Sequence, residues 1–247
     1  MELNKIYNED CLNTMKAMPD SFVDLTITSP PYDSLRIYNG YSFNFESVAK
    51  SLFKIIKPGG VLVWIVGDET LKGSETGTSF RQALGLKEAG FNLHDTMIWR
   101  KTNPMPKFKH KRYSDVFEYM FVLSKGQPKT FNPLMQPSKR AGELYDYTAK
   151  LKTTGKVRQK KTFNINSEKY RDNIWEIAVA RNTTEHPAIF PESLVSDHII
   201  SWSNEGDIVY DPFIGSGTTA LAAKKLNRSY IGSEISKEYC AIAESRI

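Results

Sequence analysis

The sequence predicts an alternating α/β fold built on buried parallel strands. Val61 to Val66 is a continuous apolar run of strand length, as expected of a parallel strand covered on both faces. The apolar, β-branched run Val23 to Ile27 precedes it, with the amphipathic pattern Glu46 to Ile56 and Lys57-Pro58-Gly59-Gly60 in between. Strand, helix, glycine break and strand in that order form a βαβ signature. A second alternation closes the chain: Ile208-Val209-Tyr210, a helix from Ala220 to Leu226, the strand Tyr230-Ile231-Gly232, and a helix over 236–246.

Composition bounds what such a chain does. Its 247 residues suffice for one large domain with a sizeable core and a small appendage. Hydrophobic content of 40% and charged content of 25% are ordinary for a globular protein. A net charge of +5 favours polyanionic partners. Cys11 and Cys240 form no CxxC, so a reducing compartment and no metal site are expected. The polar start and the lack of any apolar run of roughly 18 residues exclude a signal peptide and a membrane-spanning helix as expectations.

The elements follow in order. Leu3 to Asn8 reads as a short strand, and Leu12, Met15 and Met18 as one face of a short helix ending at Pro19. Asp10 falls where the strand gives way to the helix. A carboxylate there either caps the helix or reaches a ligand in the crevice at the strand ends. After Val23 to Ile27 comes Thr28-Ser29-Pro30-Pro31-Tyr32. Pro30 and Pro31 fix two successive φ angles and remove two donors, which leaves a stiff, extended turn with spare carbonyl acceptors. Such a turn is either plain punctuation or a holder for a flat group, gripped at its amino edge by Ser29 and Pro30 and stacked on Tyr32. Residues 33–45 are aromatic and irregular. Residues 67–79 read as a loop, Phe80 to Ala89 as a helix stopped by a left-handed Gly90, and Phe91 to Trp99 and Val116 to Leu123 as strands.

Two stretches are basic. Residues 100–112 include Lys107, Lys109, Lys111 and Arg112. Residues 124–172 break the α/β pattern, and from Lys150 to Arg171 they carry Lys152, Lys156, Arg158, Lys160 and Lys161 among eight Lys or Arg against one acid, Glu168. Tyr145, Tyr147, Phe163 and Tyr170 are interleaved. The segment is either a solvated insertion or a phosphate-contacting arm with aromatics for bases. Order returns at Asn173 to Ile177. Pro191 sits near the first position of a helix running from Glu192 to Trp202.

The C-terminal block carries specific chemistry. Directly after Ile208-Val209-Tyr210 comes Asp211-Pro212-Phe213-Ile214-Gly215-Ser216-Gly217-Thr218-Thr219. A Gly-x-Gly turn between strand and helix admits a ligand close to the backbone, and the helix N-terminus attracts an anion. The phosphate-loop ending and the third glycine of the dinucleotide fingerprint are both missing. Glu234, at the end of the next strand, is placed to accept two ribose hydroxyls. The combination fits a nucleoside that carries a carboxylate rather than a pyrophosphate.

Asp211 to Thr219 late in the chain, with Thr28 to Tyr32 near its start, resembles the amino-group DNA methyltransferases of the β arrangement, over nearly the whole chain. Asn8 to Leu12, Lys57 to Gly60, Asn103 to Pro106, and His186-Pro187 with Phe190-Pro191 match as well. The resemblance implies a Rossmann-like methyltransferase fold with a mostly parallel, doubly wound sheet. In that family the fold is circularly permuted, so that a catalytic half (1–123) precedes a cofactor half (173–247), with target recognition between them (124–172). S-adenosyl-L-methionine is the implied cofactor. Phe213, Gly215, Ser216, Gly217 and Thr218, flanked by Asp211 and Thr219, would cradle its methionine part, and His186, Pro187 and Phe190 would flank the carboxylate. Glu234 would hold the ribose, and Asp10 with Cys11 would meet the adenine. Ser29, Pro30, Pro31 and Tyr32 would hold the target base. Family members with Ser at the first of these four are mostly cytosine-N4 enzymes, and those with Asp or Asn mostly adenine-N6 enzymes. The implied function is N4-methylation of a flipped-out cytosine in duplex DNA, with adenine-N6 methylation as the alternative. An RNA or protein amine methyltransferase and an inactive nucleic-acid-binding relative are more distant readings. Duplex DNA, a second copy of the chain and a cognate restriction endonuclease are the implied partners, in a prokaryotic or phage-infected cytoplasm.

Overall fold

Eight extended segments pair into one mixed sheet in the computed structural model, which describes residues 1–31, 44–104, 111–147, 161–180 and 190–247. In chain order the elements before the insertion are β1 (Lys5–Tyr7), α1 (Cys11–Ala17), β2 (Val23–Thr28), α2 (Phe45–Ile55), β3 (Ile56–Val66), β4 (Thr70–Leu71), β5 (Ser74–Glu75), α3 (Thr78–Glu88), β6 (Asn92–Lys101) and β7 (Phe117–Ser124). The insertion holds β8 (Met135–Pro137), β9 (Leu144–Tyr147), β10 (Lys161–Asn164) and β11 (Glu168–Tyr170). After it come β12 (Ile174–Ile177), α4 (Glu192–Trp202), β13 (Ile208–Asp211), α5 (Thr218–Lys225), β14 (Ser229–Ser233) and α6 (Lys237–Arg246). Two units separate by their contacts: Met1–Asn132 with Asn173–Ile247, and Pro133–Asp172.

The sheet order in the larger unit is β1-β14-β13-β2-β3-β7-β6-β12. Every neighbouring pair is parallel except the two that involve β7. Both faces are covered, as the unbroken apolar run of β3 requires: Val61 through Val66 are all buried. Alternate residues serve opposite faces. Leu62, Trp64 and Val66 join Phe121, Leu123, Tyr210 and Ile231 in one cluster with buried residues of α1, α2 and α3. The Trp64 indole donates to Gln82 Oε1 of α3 at 2.8 Å, which satisfies its buried N–H. Met120, of the other parity, meets His198 of α4 at 3.3 Å, and the Trp175 and His198 rings are 4.5 Å apart.

Local signals explain most boundaries. Asn44 caps α2 by accepting from Ser47 N at 3.0 Å. Helix α3 ends in a Schellman turn, with Gly90 at φ +115° and Phe91 N donating to Leu86 O at 3.2 Å. Helix α4 spans the expected residues, but Pro191 occupies its N-cap (φ −62°, ψ 124°) rather than its first helical position. The Lys57-Pro58-Gly59-Gly60 stretch, expected as a break, lies inside β3. Val23 pairs with Ile56 and Leu25 already with Val61, so these four residues bulge out of the ladder. Residues 67–79, expected as a loop, include the small antiparallel pair β4–β5.

The smaller unit holds two antiparallel pairs, β9–β10 and β8–β11. The strands β9, β10 and β11 are exposed along their whole length, so backbone ladders rather than a buried face shape them. Among the described residues no helix is long and apolar enough to cross a membrane.

Candidate active site

The strand order reverses between β13 and β2: β13 leads through α5 to β14 on one side, and β2 leads through α2 to β3 on the other. In doubly wound sheets ligands bind at this switch point, in the crevice beyond the carboxyl ends of the strands. Both sequence motifs begin there. Strand β2 ends at Thr28 and runs into half-buried Ser29 and buried Pro30; β13 ends at Asp211 and runs into the glycine turn. The Thr28 hydroxyl donates to Asp211 Oδ1 at 2.7 Å and so joins the two strand ends.

The glycine turn is shaped by left-handed backbone at Gly215 (φ +50°) and Gly217 (φ +82°). Gly217 is the N-cap of α5 and provides no side-chain cap, and the first turn of α5 carries no acid. The N–H groups that open this helix therefore have no side-chain cap of their own, and a helix N-terminus of that kind favours an anion. A Cβ on Gly217 would lie 2.7 Å from the Ala243 Cβ of α6, so only glycine lets the last helix close on the turn. From α6, Arg246 donates to the Ser216 carbonyl at 2.5 Å and to the Ser216 hydroxyl at 2.9 Å. Ile214 N donates to Ser233 O at 3.1 Å and ties the turn to the end of β14.

Glu234 follows that strand end directly and is 8% exposed. Its Oε2 accepts from Gly215 N at 3.1 Å and its Oε1 from Ser236 N at 2.8 Å. A carboxylate has about four acceptor positions, more than these backbone donors occupy. Asn8 anchors the backbone here through Nδ2 donated to Glu234 O at 2.9 Å and Ile235 O at 3.1 Å. Because β1 pairs with β14, Asp10 lies at the neighbouring strand end. Asp10 caps α1, accepting from Leu12 N at 2.7 Å.

Burial dominates the electrostatics. It pushes the Asp211 carboxyl up to about 6, against the lowering effect of the donors Thr28, Thr219 and Phe213 N. It also raises Glu234, which the Ser236 and Gly215 N–H groups partly offset. The Cys11 thiol is pushed up to about 12 by burial and by the neighbouring Asp10, which disfavours the thiolate that a nucleophile needs. Cys240 is pushed up to about 11 by burial.

The structure thus brings together Ser29, Pro30, Asp211, Phe213, the residues from Gly215 to Thr219, and Glu234 around one switch point, with Asp10 and Cys11 beside Glu234's strand. Pro31 is half-buried after Pro30, and Phe190 is half-buried before the N-cap of α4. Tyr32, His186, Pro187, Lys107, Lys109, Lys152, Lys156, Arg158 and Lys160 lie outside the described residues. Of the expected DNA-contacting cations, Lys111 and Lys161 are exposed, whereas Arg112 pairs with Glu75 at 3.2 Å and donates to the Gly73 carbonyl. Thr28 and Asn8 belong to matching stretches of the sequence but were assigned no role, and Arg246 was not expected. Thr28 stood next to the turn in the sequence, but no local pattern pointed to a partner 183 residues away.

Comparisons with known proteins identify the family. A family model described as DNA methylase matches residues 23–245. The orphan methyltransferase M.BamHII of Bacillus amyloliquefaciens is 54% identical over 241 residues, 92% of this chain and 89% of that protein. The type II methyltransferase M.BglII of Bacillus subtilis is 30% identical, over 98% of this chain and 68% of that protein. Among solved structures, the M1.HpyAVI–SAM complex superposes with a TM-score of 0.67 at 28% identity, covering 98% of this chain and 99% of that one. The cytosine-N4-specific PvuII DNA methyltransferase has the same fold, with a TM-score of 0.74 at 23% identity over 98% and 86% of the two chains. The chain belongs to the N6/N4 family of DNA methylases.

Proposed function

We propose that this protein is an S-adenosylmethionine-dependent DNA methyltransferase that methylates the exocyclic N4 amine of cytosine in duplex DNA. One observation carries the reading: the Ser29-Pro30 turn and the glycine turn leave adjacent strand ends at the switch point and are joined there by the Thr28–Asp211 hydrogen bond at 2.7 Å.

The residues present fit the cofactor. The uncapped α5 N-terminus suits its carboxylate, the left-handed glycines admit it close to the backbone, and Glu234 keeps acceptor capacity for the ribose hydroxyls. Asp10 and Cys11 would meet the adenine, and Phe190 would flank the methionine end. When bound, S-adenosylmethionine supplies an electrophilic sulfonium methyl with a good leaving group.

The chain's own work is positioning and electrostatics. An exocyclic base amine is a poor nucleophile because its lone pair is delocalised into the ring. Ser29 Oγ and the Pro30 carbonyl accept its two N–H groups, which favours a pyramidal nitrogen and holds its lone pair toward the methyl donor. Tyr32 stacks on a base that has been rotated out of the duplex. The proton lost from the methylated nitrogen passes to water or a neighbouring acceptor. Cys11 and Cys240, with thiols at about 12 and about 11, take no covalent part. The choice of cytosine rests on Ser29, by the resemblance given above.

Residues 124–172 carry target recognition in this reading. In the smaller unit, the register Phe163↔Tyr145 and Lys161↔Tyr147 puts three aromatics and a lysine on one face of the β9–β10 ribbon. The rings of Tyr145 and Phe163 are 5.4 Å apart, and Arg140 lies 6.0 Å over Tyr145. A two-stranded ribbon fits the major groove, and such a face offers stacking and phosphate contacts. A second copy of the chain and a paired endonuclease are the further partners implied, although the relative at 54% identity is named an orphan. A prokaryotic cytoplasm is the compartment this reading implies, in keeping with the bacterial source of the relatives.

The test is direct. The protein is incubated with labelled S-adenosylmethionine and duplex DNA, and the DNA is digested to nucleosides. N4-methylcytosine is expected. N6-methyladenine would overturn the assignment of the base, and no transfer to DNA would overturn the function.

A further inference from the structure

We propose that Asp211 is a positioning residue rather than a ligand of the cofactor: through the Thr28 hydroxyl it fixes the base-holding turn against the cofactor loop. The inference rests on the functional reading of Ser29-Pro30 as the amine-holding turn. Three observations point to it.

First, the carboxylate is already used from within the protein. Oδ1 accepts from the Thr28 hydroxyl at 2.7 Å and from Phe213 N at 3.0 Å, and Oδ2 accepts from the Thr219 hydroxyl at 2.7 Å. These donors come from the end of β2, the glycine turn and the first turn of α5. Second, the group is shut away from the crevice: Asp211 and Thr219 are 2% exposed and Thr28 is 0% exposed. Third, the ladder between β13 and β2 stops short of this place. The β13–β2 ladder covers Val209↔Leu25 and Tyr210↔Thr26, and Thr28 lies beyond it. On its other side β2 is paired with β3 as far as Thr28↔Trp64. The side-chain bond therefore sets the spacing between Ser29 and the cofactor loop.

A methyl group in place of the hydroxyl would fill the same space without setting a direction. A hydrogen bond to a carboxylate sets both distance and angle, and it is one of the stronger kinds. The positioning must be tight because the amine and the methyl donor are held by different strands. Displacement of reacting groups by about 1 Å costs on the order of 100-fold in rate. Burial raises the Asp211 carboxyl to about 6, against the lowering effect of its three donors.

The experiment uses the full chain carrying Thr28→Val, which keeps shape and loses the hydroxyl, and Thr28→Ser, which restores it. Turnover on duplex DNA is measured at saturating S-adenosylmethionine, and cofactor affinity by calorimetry. Thr28→Val should lower kcat on the order of 10- to 100-fold with cofactor Kd within about threefold of wild type, and Thr28→Ser should recover kcat to within about threefold. A Thr28→Val enzyme at wild-type kcat overturns the proposal. So does a loss in kcat matched by an equal loss in cofactor affinity, or one that Ser does not repair. If the Val variant does not fold, Thr28→Ala is read by the same split. A wild-type protein that transfers no methyl to DNA sinks the functional reading and this inference with it; an active wild type with an unaffected Thr28→Val sinks this inference alone.

Discussion

Replacing Asp211 with Asn converts the charged centre of the switch point into a neutral copy of its protonated form. The amide oxygen can accept from Thr28 and Phe213 N as Oδ1 does, and the amide nitrogen can donate to a Thr219 hydroxyl that has rotated. The native carboxyl titrates at about 6 instead of the usual 3.8, because burial opposes its charge. A raised acid pKa means that the folded state binds the proton more tightly than the unfolded chain. The contribution to stability is fully present below about pH 4 and is lost as pH rises through 6. A displacement of about two units corresponds to about 3 kcal/mol. The Asn variant has no such loss. Its stability relative to wild type should therefore rise by about 3 kcal/mol between pH 4 and pH 8, with most of the change between 4 and 6. Denaturant midpoints of both proteins across this range measure the difference, and all other titrating groups cancel in it. Parallel curves from pH 4 to pH 8 would refute a buried Asp211 whose charge the protein opposes.

Three further outcomes follow from the same geometry. Gly217→Ala forces a side chain into left-handed backbone at φ +82° and to within 2.7 Å of Ala243. The backbone strain alone is about 1–2 kcal/mol, so a melting temperature lowered by at least roughly 3 °C is expected, and an unchanged one would contradict the close approach of α6. Glu234→Ala removes the proposed ribose acceptor and leaves Gly215 N and Ser236 N without theirs; cofactor affinity by calorimetry should fall at least about tenfold, as for the loss of hydrogen bonds to a charged group. Unchanged affinity would show the ribose assignment to be wrong. Cys11 and Cys240 should resist a thiol reagent at pH 8 in the native protein and react on unfolding, because both are buried with raised thiols; rapid labelling of the native chain would refute this.

What was legible in the sequence was whatever is coded locally. A turn that needs left-handed backbone needs glycine, so Gly215 and Gly217 marked the strand-to-helix junction. A strand buried on both faces must be apolar throughout, so Val61 to Val66 declared β3. Pro30-Pro31 cannot continue a ladder, and the end of β2 was plain. Features that depend on distant partners were not legible. Lys57 to Gly60 reads as a break because proline and glycines punctuate, yet it bulges within β3 because Ile56 already has Val23 as a partner. Arg246 is one of many surface-type cations until α6 places it on Ser216. The polar composition of residues 133–172 hid four short strands, since exposed ladders leave no hydrophobic period to read.

The order of the two halves explains why carboxylates gather at the switch point. The strands that meet there belong to opposite ends of the chain, so their junction closes a very long loop and must be held by contacts that form late. Only two residue pairs of β13 and β2 face each other in the ladder, which is little for such a seam. A carboxylate reinforces each end of it. At the amino end Asp24 Oδ2 accepts from Ile208 N at 2.9 Å, and Lys57, from the bulge in β3, neutralises the same carboxylate at 2.7 Å. At the carboxyl end Asp211 accepts from Thr28, and among the described residues no cation is paired with it. The difference follows position. Asp24 is half-exposed and far from the crevice, where a paired charge is inexpensive. Asp211 lies at the switch point, and in the functional reading proposed above a cation beside it would repel the sulfonium of the cofactor. One end of the seam is stabilised by an ion pair, while the other holds a buried carboxylate, raised to about 6 and satisfied by three donors from within the protein.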